Sequence, residues 1–72
     1  MARLENLEQT RQILLYLQEG KYQAEIARLL GINRASLNEK IFRLRARHLI
    51  EKTKKNRSNL QLTKAGSLFL ET

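Results

Sequence analysis

The chain predicts a mainly helical α+β fold: three helices, a two-stranded β-hairpin and a short C-terminal helix, in one domain over residues 1–72. Three observations lead there. Apolar residues recur at helical spacing through Gln23–Leu44, interrupted at Gly31. After His48 the pattern changes to short apolar segments on either side of a basic, polar stretch, Lys54 to Ser58. The 72 residues contain no proline, no linker and no internal repeat, which fits one small compact core.

The first helix is expected from about Asn6 to Glu19. Leu7, Leu14 and Leu17 share a face with Ile13 beside them, Asn6 is a suitable N-cap, and Gly20 is the stop. A second helix covers Gln23 to Leu30, with Ile26, Leu29 and Leu30 inward and Ala27 where two helices approach closely. Gly31 ends it and Ile32 plugs the core. Asn33 caps a third, longer helix whose buried stripe is Leu37, Ile41, Leu44 and His48, which share one arc of a helical wheel. Leu49–Thr53 reads as a strand, and Asn59–Leu62 alternates with period two as its partner, with the basic turn between them. Thr63 is the expected N-cap of the last helix, with Leu68, Phe69 and Leu70 as its apolar content.

Composition excludes several functions. There is no cysteine, so there is no disulfide and no thiolate metal site, and a single histidine cannot hold a metal alone. Aspartate is absent and the glutamates are scattered, which leaves a metal-dependent nuclease site without ligands. No catalytic residue, metal or cofactor is expected, and the chain is read as not an enzyme. The opening MARLENLEQT is polar and acidic, unlike a signal peptide, and no apolar run approaches the roughly 20 residues that span a bilayer. A cytoplasmic, nucleoid-associated protein without a membrane partner is therefore expected. The net charge of +7 is unevenly placed: Arg28 to Arg57 carries ten basic residues against Glu39 and Glu51, a net +8, and the rest of the chain nets −1. A clustered excess of this kind attracts a polyanion.

Helix, tight turn at Gly31 and second helix are the parts of a helix-turn-helix. With the hairpin behind them, Gln23 to Lys52 resembles the winged helix-turn-helix domains of prokaryotic regulators such as the MarR and ArsR families. Those domains carry a pattern close to E-[IL]-A-x-x-L-G-[IL]-S-x-x-[ST]-[VL], followed by a helix ending L-x-x-x-G-L-I-x-[RK]; here the chain reads EIARLLGINRASL and then LRARHLIEK. Leu62-Thr63-Lys64-Ala65-Gly66 resembles the L-T-x-x-G that follows the wing in many members. Two residues depart from the pattern: His48 replaces the usual glycine, and Asn33 replaces the usual serine. Asn38 and Phe42 also resemble the Asn-x-x-x-Tyr of winged domains that recognise left-handed duplexes, but this chain lacks the proline and tryptophan of their wing.

The resemblance implies sequence-specific binding of double-stranded DNA by a transcriptional regulator, with a recognition helix over 33–48 in the major groove and a basic wing over 53–59 on phosphates or in the minor groove. On this reading Arg34 chelates guanine, Asn38 pairs with adenine, and Ala35 meets a thymine methyl. Ser36 bonds a base or a phosphate, and Glu39 accepts from cytosine or pairs with Arg43 at i+4. Arg28, Arg43, Lys54, Lys55 and Arg57 contact the backbone, with Lys21, Arg45 and Arg47 as further phosphate candidates. The alternative is a winged-helix protein–protein interaction module within a transcription or replication complex. A homodimer is also expected, built from Leu4, Leu15, Tyr16, Leu68, Phe69 and Leu70. No small-molecule substrate is expected.

Overall fold

A computed structural model of the chain describes residues 2–71, with side chains from Glu8 onward. The elements run α1 (Ala2–Gln18), α2 (Gln23–Leu30), α3 (Arg34–Ala46), β1 (Ile50–Lys52), β2 (Leu60–Leu62) and α4 (Lys64–Glu71). This is a mainly helical α+β architecture with one antiparallel hairpin, in which Ile50 pairs with Leu62, Glu51 with Gln61 and Lys52 with Leu60. The strands are shorter than the sequence pattern indicated, because Leu49 turns out of α3 and Thr53 already belongs to the loop.

One apolar core unites every element except α4, which adds its side chains from the edge. Ile13, Leu14 and Leu17 of α1 meet Ile26 and Ala27 of α2, and Leu37, Ile41 and Leu44 of α3. Ile50 and Leu60 bring the hairpin into the same cluster, and Phe69 and Leu70 pack against it. Ala27 is buried, as close helix approach requires. Leu29 is not inward: it is 52% exposed, since it lies about 100° around the helix from Leu30, on the side of Ile26 away from the buried Ala27. Of the residues expected at a subunit contact, Tyr16, Phe69 and Leu70 pack on the core while Leu15 and Leu68 remain exposed. The side chains of Leu4 and Leu7 lie outside the described residues.

The first three helices end by the same device. In each, a residue in the left-handed conformation donates its N–H three residues back, and the next N–H reaches five residues back. Gly20 (φ 82°) donates to Leu17 and Lys21 to Tyr16; Gly31 (φ 71°) donates to Arg28 and Ile32 to Ala27. His48 (φ 62°) donates to Arg45 and Leu49 to Leu44. His48 thus takes up the conformation that glycine would adopt, and it is exposed rather than part of the buried stripe. The helical register stops at Ala46, so a wheel drawn through His48 does not describe it.

Helix starts divide. Asn33 caps α3, its side chain accepting from the Ser36 N–H at 2.8 Å. Thr63 caps α4, its hydroxyl accepting from the Gly66 N–H at 3.1 Å and donating to the His48 carbonyl. Asn6 does not cap α1: the helix begins at Ala2 and passes through it. Ala-Arg-Leu-Glu before Asn6 are good helix formers and contain no breaker. Among the described residues, no helix is long and apolar enough to cross a membrane.

Candidate nucleic-acid interface

The third helix buries Leu37, Ile41 and Leu44, and this fixes what it presents to solvent. At about 100° per residue, the line opposite that stripe runs through Ala35, Glu39, Phe42 and Ala46. All four are exposed, Phe42 at 69%. The outward ridge is therefore mostly apolar and holds an acid, and the basic residues stand on its flanks. Arg34, Asn38 and Arg45 lie on one flank, with Lys40, Arg43 and Arg47 on the other; all are exposed except the half-buried Lys40. Ser36 is also half-buried, close to the cap that Asn33 makes on its N–H.

Glu39 and Arg43 form the expected i,i+4 pair, at 3.8 Å with side chains 68% and 65% exposed. A pair so exposed is weak and easily opened. Arg43 also lines a groove with Lys40, Arg47, Gln9 and Thr10, between the third helix and the first. Phe42 borders a different hollow with Arg45, His48, Ile50 and Lys52.

The hairpin loop is an ordered turn. The Thr53 N–H donates to Asn59 O at 2.9 Å, and the Asn59 N–H donates to Asn56 O at 3.0 Å. The Asn56 side-chain amide donates to Leu60 O at 2.8 Å, and the Lys55 N–H donates to the Thr53 hydroxyl at 3.2 Å. Ser58 is buried, and its hydroxyl satisfies both backbone groups of Leu60. Asn59 has a positive φ of 63°, which asparagine tolerates better than most residues. This framework leaves Lys54, Lys55 and Arg57 exposed.

Of the ten residues singled out in the sequence, the fold gathers Arg28, Arg34 and Arg57 around one open cleft with Tyr22, Gln23 and Glu25. Arg57 lies over the Tyr22 ring, 5.4 Å from its centroid. Lys54 borders a separate hollow with Lys52, Thr53 and Asn59. Lys21 is drawn away from this role: it pairs with Glu19 at 3.6 Å and lies over the Tyr16 ring at 5.9 Å. Gln23 and Tyr22 carry no charge and were not among the sequence candidates. The Gln23 amide donates to Ser58 O at 2.7 Å, and its oxygen accepts from Arg34 at 3.4 Å. The sequence signal that could have found Gln23 is its place at the first turn of the second helix, beside the start of the third. Its reach to the hairpin needed the tertiary structure.

Among the described residues, no group of three or more His or Glu side chains stands close enough to hold a metal ion. No protein-family model, curated protein or solved structure matches the chain.

Proposed function

We propose that the chain is a winged helix-turn-helix protein that binds double-stranded DNA and acts as a transcriptional regulator. The observation that carries this reading is the meeting of Arg28, Arg34 and Arg57, from the second helix, the third helix and the hairpin, at one open cleft. A solvated basic coat has no need to converge; a surface for a polyanion does. The third helix supplies the major-groove element. Ala35 and Glu39 on its ridge, with Arg34 and Asn38 on the flank, face base edges, while Arg43 and the hairpin's Lys54, Lys55 and Arg57 meet phosphates. The protein works in the cytoplasm on the nucleoid, without cofactor or catalysis, as a homodimer on a two-fold site through the exposed Leu15 and Leu68.

Selection of bound duplexes from a random pool, read at two salt concentrations, tests the reading. Enrichment of a defined sequence and affinity that falls steeply with salt are expected. No duplex binding at low salt would sink it. One observation favours a protein–protein interaction module instead: Phe42 stands 69% exposed at the middle of the ridge. On that reading, replacing Arg34 and Arg43 with glutamate leaves duplex binding unaltered.

A further inference from the structure

The cleft beside Gln23 has more structure than a basic surface needs. Three guanidinium groups, from Arg28, Arg34 and Arg57, line it. Among the described residues the ion pairs are Lys21–Glu19 and Arg43–Glu39, so no carboxylate pairs with Arg28, Arg34 or Arg57. Glu25 also borders the cleft, leaving it a net +2. Holding like charges together is unfavourable until an anion enters between them.

The walls are fixed by neutral contacts. Gln23 spends its amide N–H on Ser58 O, 35 residues away, and this short bond sets which way the amide points. The oxygen on the same carbon then faces Arg34. One uncharged side chain thus links the hairpin to the start of the third helix and leaves the charge of Arg34 uncancelled. Tyr22 does the same for Arg57, offering the face of its ring rather than an acid. Oriented guanidinium groups with their charge intact suit an oxyanion that accepts several N–H donors at once.

We propose that this cleft is a phosphate-binding site and that Gln23 is its positioning residue. It deepens the DNA-binding reading and rests on it for the source of the phosphate, a phosphodiester of the duplex backbone. Arg34 is then assigned to phosphate together with Arg57, and base readout falls to Ala35, Asn38 and Glu39.

The test titrates the ¹⁵N-labelled full chain with inorganic pyrophosphate at low ionic strength, following the arginine Nε–H and Gln23 side-chain amide signals. Duplex affinity is measured in parallel by fluorescence anisotropy. Expected is one saturable isotherm shared by Arg28, Arg34, Arg57 and Gln23. The double change Arg34→Ala/Arg57→Ala weakens pyrophosphate about tenfold or more, while Lys54→Ala/Lys55→Ala leaves it within about twofold. Gln23→Met, of similar length and without an amide, weakens pyrophosphate and duplex by about threefold or more at a temperature where the variant is still fully folded, its melting midpoint lowered by the lost bond to Ser58 O. Gln23→Glu keeps an acceptor for Arg34 but adds a negative charge, and weakens pyrophosphate further. Non-saturating or independent arginine shifts, or Gln23→Met and Gln23→Glu proteins that bind both probes like the wild type, overturn the proposal. Saturable pyrophosphate binding without any duplex binding upholds the cleft, assigns it to a free phosphate ligand and removes the DNA reading. Duplex binding indifferent to Arg34 and Arg57 does the reverse.

Discussion

Gly66 and Leu49 meet backbone to backbone: a Cβ on Gly66 would lie against the Leu49 carbonyl oxygen, well inside van der Waals contact. The same carbonyl accepts from the Thr63 N–H at 3.0 Å, and the Thr63 hydroxyl donates to His48 O. The start of the last helix is thereby seated on the turn that ends the third. A backbone atom cannot move aside as a flexible side chain can. Gly66→Ala is expected to destabilise the protein by about 2 kcal/mol or more. Urea unfolding checks this against Gly31→Ala, whose Cβ meets nothing within 4 Å and which costs only the left-handed strain of about 1 kcal/mol. An unchanged midpoint for Gly66→Ala would rule out the close approach.

His48 holds φ 62° in a helix-ending motif that glycine serves at Gly20 and Gly31. Its side chain is exposed, so little packing is lost on removing it. His48→Gly is therefore expected to stabilise the fold by about 1 kcal/mol, less a few tenths for the greater entropy of the unfolded chain. A thermal melt of the single variant reads the sign. Destabilisation would mean that the imidazole makes a contact worth more than the strain.

Glu39 is the one acid on the outward ridge of the third helix. Its exposed pair with Arg43 contributes little, so Glu39→Ala is expected to change stability by no more than about 0.5 kcal/mol. Removing a negative charge next to phosphates should nevertheless tighten non-specific duplex binding several-fold at low salt. If Glu39 reads cytosine, the same variant loses preference at one position of the selected site. Anisotropy on random and selected duplexes separates the two effects. Unaltered affinity on both would place the ridge away from DNA.

Lys54 and Lys55 project from an ordered turn and stand outside the arginine-lined cleft. If each meets one phosphate, the plot of log affinity against log salt should lose about one unit of slope per lysine changed to alanine. Sequence preference should be unaffected, because phosphate contacts carry no base information. A slope that stays constant in both variants would take the hairpin tip off the DNA.

Much of the fold was legible because its signals are local. Gly20, Gly31, Asn33 and Thr63 each act within one turn of a helix, and each plays the part its residue type favours. The stripe Leu37, Ile41 and Leu44 follows from helical period alone. The failures have equally specific causes. Asn6 is a good cap only where the preceding residues leave the helix, and here they continue it. Leu29 is apolar but falls off the narrow buried arc of an eight-residue helix. In the candidate site, charge located Arg28, Arg34 and Arg57 individually. Their convergence depends on Gln23 bridging to Ser58, a contact between neutral groups far apart in sequence. Charge cannot signal such a contact, and no periodicity encodes it.

The hairpin strands are only three residues long, and a ladder so short does not hold itself together. Leu60 in the core, the internal bonds of the turn and the Gln23 bridge hold it instead. A charged loop would ordinarily lose conformational entropy when it settles on a partner. Here that loss falls on folding, because the loop's shape exists before any partner arrives. Association can then proceed close to rigid-body docking, with long-range attraction setting the encounter rate and little delay for rearrangement.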